Sequence, residues 1–361
     1  MRLQTVVLAL VILGLSILSA SAQGIGAGRY MKTENPFSIS FHAGLLTFDK
    51  GEVRETRRAY DPDQSGVPDY SAFLSAYTLE DLGFDGSYPT LGGKIEKQWS
   101  FFTFQLDLLY ANPTADAVAK MKKTASPVPA DKKGYYIGVD EAIYRGKNYE
   151  YMWIPDGTKF DSDIETMVAE ARLKFTPFHL GGGGVHLSPW VHAGVYGGYA
   201  SYEIDAGPAT GLVTYEVPPK TYVVKGQGTG DGGLAIPELG AGGELRFDFG
   251  DASNHPASLV LSGDFSWMHY SGSPNNIGFN IQSTRNVDFD FFTVNLEVMF
   301  EIPLNESLDL LAGVTYRSVR ADASLDSVHR TESAQRYLNE KYDKRAEFAF
   351  TQLMGNIGFR F

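Results

Sequence analysis

Ten stretches of this 361-residue chain alternate apolar and polar residues with a period of two. Successive side chains of a β-strand point to opposite faces, so each stretch predicts a strand with one greasy and one wet side. The first sets Phe37, Ile39, Phe41, Ala43 and Leu45 against Ser38, Ser40 and His42. The eighth sets Phe292, Val294, Leu296, Val298, Phe300 and Ile302 against Asn295, Glu297 and Glu301. The others run through residues 91–95, 102–110, 167–175, 191–199, 239–249, 259–267, 308–316 and 345–361. Each apolar face covers about five alternate residues, so each strand is about 9–11 residues long, the length a tilted strand needs to cross a bilayer. Strands of soluble domains are usually nearer five or six.

The wet faces carry full charges: Lys94, Glu96, Asp107, Glu170, Arg172, Lys174, Glu244, Arg246, Asp248, Asp264, Glu297, Glu301, Asp309, Arg317 and Arg360. In a soluble sandwich these would face solvent; in a membrane barrel they line the lumen while the greasy face meets lipid. The connections favour the barrel. Short ones, near 97–101, 179–186, 251–256 and 303–307, alternate with long ones, near 49–89, 112–160, 205–237, 271–286 and 320–344. Aromatics gather at the expected strand ends, with Trp99, Trp190, Phe249, Phe300 and Phe361 at the short-turn end and Tyr110, Tyr199, Tyr270 and Tyr316 at the other. The expected fold is an all-β, antiparallel up-and-down transmembrane barrel with short periplasmic turns and long extracellular loops. About 10 strands are expected, with 12 or 8 as alternatives. Residues 71–84 carry the case for 12, as a possible addition within the first long loop. Pro218-Pro219 cannot join a central ladder, so residues around it read as a hairpin inside the third loop.

Residues 1–22 read as a secretory signal peptide. Arg2 gives a positive start, residues 6–18 form an apolar run, and Ala20-Ser21-Ala22 supplies the cleavage site. Residues 23–361 then form a single barrel domain. The chain has no cysteine, which excludes a disulfide framework and thiolate metal sites. Its net charge of -12 argues against nucleic acid as a partner.

The signal peptide, the absent cysteines, the alternating strands and the closing "GFRF" together resemble bacterial outer-membrane β-barrel proteins. That resemblance implies that Phe361, Phe359 and Ile357 form the terminal signal read by the barrel-assembly machinery. It also implies delivery by periplasmic chaperones, and outer-membrane lipid and lipopolysaccharide as surroundings. It carries over no catalytic residue.

A few segments invite sharper readings. Asp61, Asp63, Ser65, Gly66 and Asp69 fall at positions 1, 3, 5, 6 and 9 of a calcium-type loop, where oxygens at alternate positions wrap a hard cation. Ala72 stands where the bidentate Glu belongs, and a Pro/Gly/Asp turn explains the same residues. Calcium, held by Asp61, Asp63, Ser65 and Asp69, is the one cofactor the residues suggest. The "GGGG" and "GQGTGDGG" runs lack the Lys-Ser/Thr of a phosphate loop and read as turn and loop. The basic residues of "AVAKMKK" and "ADKK" read as a solvated loop or as a contact for lipopolysaccharide phosphates. Of seven histidines, His42 and His192 lie on wet faces and His269 near an outer rim beside Asp264, while neither G-x-S-x-G nor H-E-x-x-H occurs.

Ten strands lie near the limit at which side chains fill a barrel. Nine acids and six bases on the wet faces must pair if buried. The expected function is therefore that of a barrel with a mostly filled, mixed-charge lumen and outer loops in a structural, adhesive or binding role. A narrow porin for small solutes is the alternative, and an outer-membrane protease or lipid-modifying enzyme a further one.

Overall fold

The computed structural model describes residues 36–60, 70–118, 134–137, 143–144, 147–148, 151–155, 159–213, 220–249, 256–272, 284–333 and 336–361. Ten long strands follow one another up and down: β1 (Phe37–Tyr60), β2 (Ser87–Trp99), β3 (Phe102–Ala111), β4 (Lys159–Phe175), β5 (Val185–Val213), β6 (Lys220–Phe249), β7 (Ala257–Gly272), β8 (Thr284–Asn305), β9 (Leu308–Ser333) and β10 (Arg336–Arg360). Each pairs antiparallel with its sequence neighbour, and β10 returns to β1, which closes the sheet. The count of ten stands. The strand Tyr70–Thr78, where residues 71–84 suggested an addition, pairs only with the upper part of β1, from Glu52 to Ala59, and adds no stave to the ring. A second short strand, Thr114–Val118, pairs with the start of β4.

The described short connections are tight. Ser100 turns β2 into β3 with φ 44°, a left-handed conformation that is uncommon outside glycine. Between Leu180–Gly182 and β5, Gly183 and Gly184 both take positive φ (65° and 86°), which a two-residue type I′ hairpin requires and glycine permits without strain. At this turn end the first and last strands meet.

The sheet extends much further than the expected crossings. β5 runs for 29 residues, β6 for 30, β9 for 26 and β10 for 25. Residues 205–237 and 320–344, expected as long loops, are instead mostly ladder: Asp205 faces Gln227 and Arg330 faces Asn339 in antiparallel register, with one irregularity between Ala206 and Pro208. β5 and β6 themselves continue to Val213 and Lys220, and Pro218-Pro219, expected within a hairpin of the third loop, lie outside the described residues. Crossing a bilayer takes about a third of β6, so most of its length lies beyond the apolar belt.

Burial sorts the faces. Phe41, Leu45, Leu91, Val191, Leu239, Leu296, Leu353 and Ile357 are each more than half exposed, and they form a contiguous belt around the outside. Their alternate neighbours, including Ser40, His42, Gln105, Glu170, Arg172, His192 and Gln352, are buried inside. A monomeric soluble protein rarely exposes an apolar surface on this scale. Among the described residues no helix is long and apolar enough to cross a membrane.

Candidate functional site

The interior of the barrel is the candidate site, and inward-facing glycines make room for it. A Cβ on Gly240 would lie 2.5 Å from His192 Nε2 and 2.2 Å from the Phe265 carbonyl oxygen. One on Gly242 would lie 2.9 Å from the Trp190 ring. The absent side chains of β6 therefore let two large residues of β5 fold flat against the wall.

At mid-height Arg172 of β4 is the hub. Its Nε and Nη2 both approach Glu238 Oε1 at 2.7 Å, Nη2 lies 3.0 Å from Glu170 Oε2, and Nη1 lies 3.4 Å from Asp264 Oδ1. The Arg172, Glu170 and Glu238 side chains are at most 1% exposed. Arg172 Nη2 also donates to Ser266 Oγ at 3.2 Å, and His192 Nε2 lies 3.0 Å from the same hydroxyl. Asn295 donates to Asp264 at 2.9 Å. Arg317 of β9 bonds Glu170 of β4, five strands away in a ring of ten, so this pair spans the lumen along a diameter.

A second set lies beside it. Lys94 Nζ donates to both oxygens of Glu297 at 2.8 Å, again across the lumen from β2 to β8. Asn356 donates to Thr315 at 2.6 Å and to Glu297 at 3.3 Å. Lys174 lies 3.6 Å from Glu96 and 4.7 Å above the Trp190 ring.

Towards the turn end a third set gathers around Glu301. Arg246 reaches it at 2.6 Å, and Arg360 also bonds it. Asp248 accepts from Arg246 at 2.9 Å and from Ser258 at 2.6 Å, and His186 stands 3.2 Å away. Asp309 faces Arg360 in register, and Glu244 shares the inward parity of Arg246 and Asp248. Asp107 lines a cavity of about 40 Å³ together with His42, Gln105, Lys94 and Arg317. Since a water needs roughly 10–15 Å³ of such space, this cavity has room for a few waters.

The structure thus brings Glu170, Arg172, Asp264 and Arg317 into one cluster, Lys94 and Glu297 into another, Glu96 with Lys174, and Arg246, Asp248, Glu301 and Arg360 into a third. Three contributors were missed from sequence. Glu238 follows Pro237 and was placed at a loop end, although it shares its parity with Glu244, Arg246 and Asp248. His186 was assigned to a turn. Trp190, expected in the aromatic girdle, faces inward and is 7% exposed, because even positions of β5 point to the lumen. His269 pairs with Asp290 at 2.8 Å on the outer face, not with Asp264. Asp61, Asp63, Ser65 and Asp69, the calcium candidates, lie outside the described residues, as does the signal segment. Among the described residues no group of three or more ligating side chains is arranged to hold a metal. Phe359 and Phe361 face outward at the turn end, and Ile357 lies in the belt.

A closed antiparallel barrel with an apolar outside and a charged inside is a β-barrel of the bacterial outer-membrane type. The solved structures similar to this chain are of that class. They include the outer membrane protease OmpT from Escherichia coli, at 10% identity over 91% of this chain and 97% of that one, with a TM-score of 0.38. A Pseudomonas aeruginosa FadL homologue aligns at 11% identity over 90% of each chain, with a TM-score of 0.18. The Pseudomonas putida toluene transporter TodX aligns at 11% identity over 89% of each, with a TM-score of 0.17. At these values none of the activities named carries over. No protein-family model and no curated protein matches the chain.

Proposed function

We propose that this protein is an outer-membrane barrel whose lumen is closed, and whose loop-end half, raised beyond the membrane, makes its functional contacts in a structural, adhesive or binding role. One observation carries the closed-lumen reading: the Glu170–Arg317 pair crosses the barrel on a diameter, with the Arg172 cluster packed around it. Buried charges need complete pairing, and removing one partner costs about 3–5 kcal/mol, so the cross-lumen links tie opposite walls of the barrel together at mid-height. The apolar belt supports placement in the outer membrane, among its lipids and lipopolysaccharide. The outward aromatic terminus supports delivery to the barrel-assembly machinery by periplasmic chaperones.

Single-channel recording of the refolded protein in a planar bilayer tests this reading. The expected record is flat. A steady ohmic conductance would replace the reading with that of a narrow pore.

A further inference from the structure

Each tall strand changes phase part-way up. In β8, Phe292, Val294, Leu296 and Val298 point outward and Thr293, Asn295 and Glu297 inward; above Phe292 the apolar residues are Val287, Phe289 and Phe291, which are buried inside, while Asp288 and Asp290 are exposed outside. The same switch occurs in β9, where Val319 and Ala321 are buried and Arg320 and Asp322 exposed. In β10, Phe348 and Phe350 lie inside while Glu347 is exposed. In β7, Trp267 points out and the next residue, Met268, is buried. Below the switch the outside meets lipid; above it the outside meets water and the inside is oily.

The oily interior forms one layer on seven adjacent strands of the ten. Tyr196 of β5, Ile236 of β6, Met268 of β7, Val287, Phe289 and Phe291 of β8, and Val319 and Ala321 of β9 pack into one cluster, with Phe348 and Phe350 of β10 and Val168 of β4 against it. Tyr196 and Phe291 approach to 4.5 Å between ring centres. Ile236 is 0% exposed. The interior of a transmembrane barrel is ordinarily polar, so an apolar layer at its outer mouth is unexpected from the class alone.

We infer that this layer is a dry hydrophobic barrier and that it, rather than the charge network below, sets the resistance of the barrel to ions. The charged tier offers a passing ion carboxylates, amides and hydroxyls as substitutes for its water, and has a small cavity lined by such groups. The buried residues of the apolar tier offer only the Tyr196 hydroxyl, and a hydrophobic constriction excludes ions by excluding water. The inference rests on the closed-lumen reading and locates where that closure is made.

Three refolded variants and the unmodified protein, each checked for heat-modifiable migration, are recorded in a planar bilayer. Ile236→Ser with Met268→Ser and Phe291→Ser is expected to pass a steady current at least about tenfold above the leak of the unmodified protein, as a wetted constriction would. Lys94→Met with Glu297→Met, which removes a cross-lumen charge pair at similar volume, is expected to stay at the leak. Phe291→Ser alone, the milder variant, is expected to give brief openings and serves if the triple variant does not refold. A folded triple variant, or failing that a folded Phe291→Ser, that stays silent in a silent background overturns the inference and leaves the closed-lumen reading intact. Current through the Lys94→Met, Glu297→Met protein overturns it in favour of the charge network. Current through the unmodified protein overturns both.

Discussion

The backbones of Phe37 and Phe361 exchange two hydrogen bonds, with Phe361 N–H donating to the Phe37 carbonyl at 2.8 Å and Phe37 N–H donating in return at 3.2 Å, and their rings stack with centroids 6.2 Å apart. This reciprocal pair is the lowest rung of the β1–β10 seam. Deleting Phe361 removes both bonds and the ring contact. Each hydrogen bond contributes about 0.5–1.5 kcal/mol, so the folded barrel survives the loss on energy alone. If Phe361 also serves assembly, deletion lowers the amount of heat-modifiable barrel in the outer membrane by more than that stability loss explains. The check is to compare in vivo yield with refolding yield from urea; an equal fall in both assigns Phe361 to the seam alone.

Depth should govern the cost of a charge on the belt. Leu296 and Leu304 of β8 are similarly exposed, at 51% and 53%, but Leu296 lies in mid-belt and Leu304 at the turn end. Leu296→Arg is expected to destabilise the barrel by about 2–4 kcal/mol and Leu304→Arg by about 0–1 kcal/mol. Reversible urea unfolding in vesicles measures both, and equal losses would mean that the belt is misplaced.

Arg172 sits between two acids, Glu170 and Glu238, whose side chains are at most 1% exposed. Arg172→Ala leaves Glu170 and Glu238 buried without their common partner, at a cost of about 3–5 kcal/mol. Adding Glu238→Gln to Arg172→Ala should recover part of that loss, because a neutral amide is cheaper to bury than a carboxylate. Unfolding midpoints of the single and double variants decide it; a double variant less stable than the single one would contradict the pairing.

Two neighbouring glycines of β6 should respond differently to the same change. Gly240→Ala drives a methyl group to 2.2 Å from a backbone oxygen that cannot move aside, while the nearest atoms to a Cβ on Gly243 are 3.8 Å away. The first is expected to lose about 1–3 kcal/mol and displace His192; the second is expected to be nearly neutral. Thermal unfolding of both variants is the measurement.

The transmembrane part of this fold is plain in the sequence because two solvents act on it. Lipid outside and charge inside force the side-chain period, so Phe41, Leu91 and Leu296 could be set against Ser40, Lys94 and Glu297 without a structure. Read from sequence, the strands end where that contrast ends. Above Phe292 the greasy side moves indoors, and the alternation reads as a loop only if its phase is assumed constant. The doubled Phe291-Phe292 and the adjacent Trp267-Met268 are the visible marks of the switch. Glu238 was lost for the same reason: it sits just below the switch, after a proline, where the outward pattern had only begun at Leu239. The partner of each charge was not legible, since parity says that Glu170 and Arg317 share an interior and nothing in the sequence says that they meet across it.

The ladder that joins β5 to β6 from Val185 opposite Phe247 up to Val213 opposite Lys220 also has a practical use. It is a mast rooted in the membrane, and whatever is attached at its tip stands clear of the lipid headgroups. A foreign epitope grafted between Val213 and Lys220 would be far from every cross-lumen charge pair and from the apolar layer, so insertion into the membrane and presentation at the tip become separable properties. On that footing the chain is a ready scaffold for holding a peptide off the cell envelope, and antibody staining of intact cells, set against the yield of folded barrel, would read the two properties independently.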